Sequence, residues 1–129
     1  MKFILVYITA ATRAEANRIS QVLLREHLVA CVNMVGPMAS LYWWRGRLKK
    51  SREVLVLAKT RATLAQRVIQ KVRALHGYDV PCVVTLPLAQ GNPQFLRWIA
   101  TETRTNSSAV KSRACSLNAP RSARSADPT

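Results

Sequence analysis

The chain has few acidic residues, few glycines and no long apolar run, and each shortage excludes a class of protein. Six residues are Asp or Glu and 20 are Lys or Arg, so the formal net charge is +14. The six acids are scattered and form no carboxylate pair, and four glycines form no phosphate-binding loop. No apolar stretch reaches the roughly 18 residues typical of a membrane-spanning helix. We therefore expect neither an enzyme nor a membrane protein.

Cysteine is also scarce, and its spacing bears on the cellular compartment. Three cysteines, Cys31, Cys82 and Cys115, are too few and too far apart for a disulfide framework or a zinc ribbon. Lys2 and the short apolar run after it are compatible with a weak signal peptide, but the helix signal at Thr12 follows closely and favours a buried first strand. Reduced thiols and a first strand together predict a cytoplasmic protein.

The positive charge raises the question of nucleic-acid binding, because a net charge of +14 attracts polyanions. RNA-recognition modules stack bases on aromatic residues of a central strand. The strand that would have this role, EVLVLAKT at 53–60, contains no aromatic residue. We expect salt-sensitive, non-specific attraction at most and no specific nucleic-acid partner.

Apolar periodicity and turn residues predict the element order β-α-β-β-α-β-α. Thr12 and Glu15 form a capping box at the first helix, and Asn92 with Pro93 begins the last. Thr60 is the predicted cap of the second helix, and Pro37 predicts a bend, a bulge or an edge position in the second strand. The strands are predicted at 2–9, 30–44, 51–59 and 80–88.

This order predicts an α+β fold of the ferredoxin-like, split βαβ type, with an antiparallel sheet, two helices on one face and an extra C-terminal helix. The folded domain is predicted to span 1–103. Residues 104–129 are basic and rich in Ser and Ala without apolar periodicity, so we expect a disordered tail in which Cys115 is an exposed thiol.

Four segments in this order carry a family resemblance: ACVNMVGPMASLYWWRGR at 30–47, EVLVLAKTR at 53–61, HGYDVPCVVTLPL at 76–88 and GNPQFLRWI at 91–99. Together they resemble the CutA family of divalent-cation-tolerance proteins over roughly residues 3–103. The resemblance implies a tight homotrimer in which edge strands of neighbouring subunits pair. An unpaired apolar edge strand promotes aggregation, which independently favours a partner chain.

The resemblance also implies binding of copper or another divalent cation and a role in the response to metal ions. Some relatives are assigned a Cys at the end of the first strand, a His pair after the second helix and a Glu in the next strand. This chain has Ile8, then Leu75 and His76, then Cys82 at those places. His76 and Cys82 are therefore the predicted metal ligands. The alternative is that His76 ends the second helix and Cys82 is a small packed residue.

A second hypothesis is a signalling or scaffold trimer that binds a small anionic ligand in clefts between subunits, by analogy of fold with nitrogen-regulatory signal proteins. The predicted cleft residues are Tyr78, Trp43, Trp44, Lys59 and Arg61. Strand alternation directs Tyr42 and Trp44 to one face and Trp43 to the other. The alternative is that the aromatic residues form an interface core and the basic pair is an ordinary helix start.

Overall fold

A computed structural model of the chain describes residues 1–104, which fold into a mixed α+β domain with one antiparallel sheet. The predicted tail beyond Arg104, including Cys115, lies outside the described residues. The strands are β1 (Phe3–Ala10), β2 (Cys31–Trp44), β3 (Arg47–Arg61) and β4 (Val83–Leu88). The helices are α1 (Arg13–Arg25), α2 (Ala65–Leu75) and α3 (Pro93–Glu102), with a short 3₁₀ turn at Ala62–Leu64.

The sheet order is β2-β3-β1-β4, so β2 and β4 are its two edges. Every neighbouring pair is antiparallel. This order, with a helix after β1 and another after β3, is the split βαβ arrangement predicted from the sequence. Pro87 lies in the edge strand β4, where a missing backbone donor is tolerated.

The core lies between the sheet and the helices α1 and α2. Val6, Ile8 and Val56 on the inner face of the sheet are fully buried, as are Ile19 of α1 and Val68 of α2. Each such side chain contributes about 1.5–3 kcal/mol relative to exposure. Thr12 caps α1 as predicted, because the Glu15 amide donates to the Thr12 hydroxyl at 3.1 Å, but the Glu15 carboxylate accepts from the Ala11 amide and not from the Thr12 amide of a full capping box.

The predicted helix start at Thr60 is wrong. Thr60 lies within β3, pairs with Ile4 of β1 and is fully buried. Its hydroxyl donates to the Leu28 carbonyl at 2.6 Å, a bond to a residue 32 positions earlier in the chain. The second helix begins after the 3₁₀ turn and has no side-chain cap.

The pairing register of strands β2 and β3 shifts at one place, between Val35 and Met38. Val35 pairs with Leu55, whereas Met38 pairs with Glu53, so β2 contains one residue more than β3 between these pairs. The Gly36–Pro37 peptide at this bulge is cis. A Cβ on Gly36 would lie 3.0 Å from the Glu53 carbonyl oxygen, which is why a glycine is needed there. The bulge predicted at Pro37 is therefore confirmed.

The sheet face opposite the core helices is only partly covered. Near one end, α3 packs over it with Ile99 fully buried, and Arg61 donates hydrogen bonds to Thr103. Elsewhere apolar side chains remain exposed, including Val84 and Leu86 of the edge strand β4. Searched over residues 1–104, the chain contains no helix long and apolar enough to cross a membrane.

Candidate functional site

His76 follows α2, and its side chain is completely buried. The Tyr78 backbone N–H donates to Nδ1 at 3.0 Å, so this nitrogen is an acceptor and the proton is assigned to Nε2. Nε2 then donates to the Thr9 carbonyl at 2.6 Å. Since both ring nitrogens are engaged with the backbone, neither is left to bind an ion.

Glu15 holds the segment after His76 from the side of α1. One carboxylate oxygen accepts from the Ala11 amide at 3.0 Å and the other from the Gly77 amide at 2.8 Å. Partial burial raises the pKa of Glu15, but these two backbone bonds and the nearby charge of Arg18 outweigh it, so the pKa lies below its ordinary value. A Cβ on Gly77 would lie 2.9 Å from Oε2, so a larger residue there would make the Glu15 carboxylate shift.

Tyr78 reaches from the same segment to β3. Its phenol donates to Glu53 Oε2 at 2.8 Å, and Glu53 is only 8% exposed. Burial first, and then the hydrogen bond and charge of Glu53, raise the pKa of Tyr78 well above its ordinary value. The phenol is thus held neutral as a donor to the carboxylate.

Cys82 lies close to His76 in the fold, as both meet the backbone of Thr9. The Thr9 amide donates to the Cys82 carbonyl at 3.3 Å, while the Thr9 carbonyl accepts from His76. The Cys82 thiol is free and half-buried. Ile8, at the place of a first-strand ligand, is fully buried in the core and offers no donor atom.

A cavity of about 760 Å³ opens between the β2–β3 hairpin and the segment 77–82. Of the predicted residues, Tyr78, Trp44 and Cys82 line it. Strand alternation is confirmed for the aromatic residues, because Tyr42 lines the cavity with Trp44 while Trp43 is not in the lining and is 72% exposed.

Lys59 and Arg61 lie elsewhere in the described chain. Both are in β3 rather than at the start of a helix, so the predicted strand-to-helix junction is wrong. The Lys59 ammonium donates to Asn33 Oδ1 at 3.3 Å and lies 4.0 Å from the Cys31 sulfur. Burial raises the pKa of the Cys31 thiol, and Lys59 only partly offsets this. Arg61 is bonded to Thr103 near α3.

The family model described as "CutA1 divalent ion tolerance protein" matches residues 4–102. The chain belongs to the CutA1 family. "Protein CutA 1, chloroplastic" of Oryza sativa is 39% identical over 101 residues, which are 78% of this chain and 57% of the rice protein. The "Divalent-cation tolerance protein CutA" of Archaeoglobus fulgidus is 39% identical over 94 residues, covering 73% of this chain and 91% of that protein.

Solved CutA1 structures share the fold. The crystal structure of CutA1 from Oryza sativa superposes with a TM-score of 0.79 at 38% identity and covers 81% of this chain and 95% of that one. The structure of the Thermus thermophilus protein gives a TM-score of 0.77 at 37% identity, covering 79% of this chain and 99% of that one. Among the curated relatives, the chain spans less than two thirds of the rice protein and 64% of the zebrafish homologue.

The family name refers to divalent ions, which need three or more protein or solvent ligands held in fixed geometry. Within residues 1–104, no three His, Cys, Asp or Glu side chains are grouped to hold one. His76 is committed to two backbone bonds, and Cys82 is then the only one of the predicted pair with an open donor atom. A single CutA1 chain with these residues does not fit a complete metal centre.

Several residues of this region are not predicted from the sequence. The sequence indicates Glu53 only as a residue of the strand predicted at 51–59, and its contact with Tyr78 joins residues 25 positions apart. It indicates Glu15 as a cap, but the bond from Glu15 to Gly77 spans 62 positions. Lys49 and Lys50, near the hairpin turn, also line the cavity. These contacts depend on how α1, β3 and the segment after α2 pack together, which local sequence patterns do not show.

Proposed function

We propose that this CutA1-family protein acts as a homotrimer in the response to divalent cations, with copper or another divalent ion as its ligand. The observation that carries the proposal is the family match over residues 4–102. Relatives from Archaeoglobus fulgidus and Thermus thermophilus are named divalent-cation tolerance proteins. The chain covers more than 90% of each of these two proteins, so the proposal concerns their whole length.

The trimer is supported by apolar side chains exposed on both edges of the sheet. Leu41 and Leu48 of the β2–β3 hairpin are 68% and 62% exposed, and Val84 of β4 is 51% exposed. Clusters of this kind on an edge strand mark a pairing surface. Because the two edges differ, an edge of one subunit would meet the other edge of the next, and such head-to-tail contacts close into a ring.

The ion, under this proposal, takes its ligands from more than one subunit. Cys82 is the contribution of each chain, because its half-buried thiol lines an open cavity and thiolate sulfur suits copper or zinc. His76 is excluded as a ligand, because both of its nitrogens hold the backbone.

The test is anaerobic calorimetry of the full, reduced chain with Zn(II) and Cu(I), with the molecular mass measured by light scattering in the same sample. We expect a mass of three times 14.4 kDa and binding that is lost in Cys82→Ser. Cys31→Ser is the matched control, because it removes a half-buried thiol that does not line the cavity, and it should bind normally. A homogeneous trimer that binds neither ion would support the homotrimer and contradict the proposed ion binding.

We also propose that the protein is not an enzyme and is cytoplasmic, as predicted from the sequence. The scattered carboxylates support the first statement. The names of relatives give different cellular locations: the rice protein is called chloroplastic, and the Archaeoglobus fulgidus structure is called periplasmic. Fractionation of cells that express the full chain tests the proposed cytoplasmic location.

An anionic ligand, the other function predicted from the sequence, has less support. Two lysines line the cavity, Lys49 and Lys50, but two carboxylates, Glu53 and Asp79, line it too. Charge alone therefore does not favour an anion over a cation at this place.

A further inference from the structure

We propose that the outer surface of α1 and α2 binds the phosphate backbone of double-stranded nucleic acid without reading its sequence. This surface, the helical face, consists of the exposed side chains of the segments 13–26 and 65–75. The subunit contacts proposed above use the two edges of the sheet, whereas α1 and α2 lie over one of its faces. The helical face is therefore accessible in that trimer, and its binding does not depend on the divalent-ion function.

The helical face is basic. The two helices and the residue after α1 contain six basic residues and two acidic ones, a net charge of +4. Both acids are already engaged. Glu15 accepts from two backbone amides and its side chain is 13% exposed, while Glu26 pairs with Lys71 at 3.2 Å. The excess positive charge that remains attracts polyanions.

Basic side chains lie near both ends of the helical face. Arg18 donates to a backbone carbonyl at the C-terminal end of α2, near Arg73, and its side chain is still 58% exposed. The ion pair of Lys71 lies at the C-terminal end of α1, near Arg25. Since a helix rises about 1.5 Å per residue, Arg18 and Arg25 are about 10 Å apart along α1, which is the length of about three base pairs.

The residue types of the helical face suit phosphate. Five of the six basic residues are arginines, and a guanidinium group can donate two hydrogen bonds to one phosphate. Arg25 and Arg73 are exposed, and within residues 1–104 their side chains make no hydrogen bond or ion pair. The exposed amides of Asn17, Gln21 and Gln70 add uncharged donors for phosphate and sugar oxygens.

The last described residue also lies beside this surface. The Arg104 amide donates at 3.0 Å to the carbonyl of His27, which is two residues after α1. The sequence continues from there with four basic residues and one acidic residue over 105–129. Their net charge of +3 adds to the attraction that the helical face exerts on a polyanion.

The helical face favours a duplex over a single strand and over a lipid surface. α1 and α2 contain no aromatic residue, whereas proteins that bind single strands stack bases on aromatic rings. A helix that binds in a membrane interface inserts its apolar side. Here the apolar sides of both helices are buried in the core, and Leu24 is their only exposed large apolar residue. The phosphates of a duplex need neither stacking nor insertion.

The experiment is a fluorescence-anisotropy titration of the full chain with a labelled, mixed-sequence DNA duplex of about 20 base pairs, between about 50 and 200 mM salt. The double variant Arg25→Gln, Arg73→Gln should weaken binding and make the slope of log K against log salt shallower by about two, because each lost phosphate contact releases about one counterion fewer. Arg45→Gln with Arg97→Gln is the matched control. Both arginines are exposed, in the hairpin turn and on α3, and the slope should not change.

Arg25→Lys with Arg73→Lys keeps both charges and should restore the slope, which would show that charge and not a change of fold accounts for the loss. If the double glutamine variant does not fold, each single variant should make the slope shallower by about one. Equal losses in the two double glutamine variants, tighter binding of a single strand of the same length, or no binding of the duplex at low salt would each overturn the proposal. Binding to phosphatidylserine vesicles without binding to the duplex would overturn it too. Cys82→Ser should bind the duplex normally, so this proposal and the divalent-ion proposal fail separately.

Discussion

The phenol of Tyr78 lies 2.8 Å from the carboxylate of Glu53 and joins the segment after α2 to the middle of β3. The same segment is held at Gly77 by Glu15 and at Cys82 by Thr9. Three contacts from three different elements thus position the wall of the cavity.

Tyr78→Phe should lower the free energy of unfolding by about 1–3 kcal/mol, because a buried carboxylate loses its donor. Urea denaturation at fixed chain concentration measures this. Tyr42→Phe is the control: Tyr42 is 41% exposed, and the change should stay within about 0.5 kcal/mol. Equal effects of the two substitutions would mean that the Glu53 contact contributes nothing.

The same bond predicts a dependence on alkaline pH. The pKa of Tyr78 is raised in the folded chain, so the stability linked to it is fully present below the ordinary tyrosine value of 10 and is lost as the pH rises beyond it. Titration of tyrosinate absorbance should show one of the three tyrosines ionising last. That late step should disappear in Tyr78→Phe; if it persists there, it belongs to another tyrosine.

Glu15→Gln should show the opposite dependence at acidic pH. The pKa of Glu15 is lowered in the folded chain, so its contribution is present above the ordinary value of 4.5 and is lost as the pH falls below it. We expect a loss of about 1 kcal/mol at neutral pH, typical of a cap, that shrinks as the pH drops. Thermal unfolding across this range measures it. A loss of equal size at every pH would rule out the charge of Glu15 as the cause.

His76→Ala should destabilise the protein by about 2–4 kcal/mol, since it leaves a cavity and two backbone groups without partners. His76→Gln should recover part of this, because an amide can still donate to Thr9. Zn(II) affinity of the folded variants, measured by calorimetry, should be unchanged. A variant of full stability that no longer binds zinc would show that His76 is a ligand after all.

Leu86→Lys tests the trimer at the edge strand β4. Leu86 is 46% exposed, and a lysine there would place a charge in a subunit contact, so light scattering should show dissociation. Leu24→Lys is the matched control on α1, where the leucine is 36% exposed and lies off the sheet. An unchanged mass for Leu86→Lys would remove β4 from the interface.

The order and type of the elements could be predicted from the sequence because they depend on local patterns. Thr60 is a residue for which local patterns are not enough. Threonine suits both a helix cap and a strand, and the bond from Thr60 to the distant Leu28 carbonyl favours the strand. The aromatic faces of β2 were predicted because alternation is local. The partners of Glu15 and Glu53 were not, because each depends on how two separate elements pack.

The extra residue of β2 near Pro37 changes which side chains of β2 lie on each face of the sheet. Before it, the odd-numbered residues of β2 stand opposite the odd-numbered residues of β3, as in the pair of Val35 and Leu55; after it, even-numbered residues do, as in the pair of Met38 and Glu53. Tyr42 and Trp44 owe their place beside the cavity to this shift. The same sequence paired without a bulge would place Met38 opposite Arg52 and Trp43 opposite Arg47, so Trp43 would face the cavity and the other two rings would turn outward.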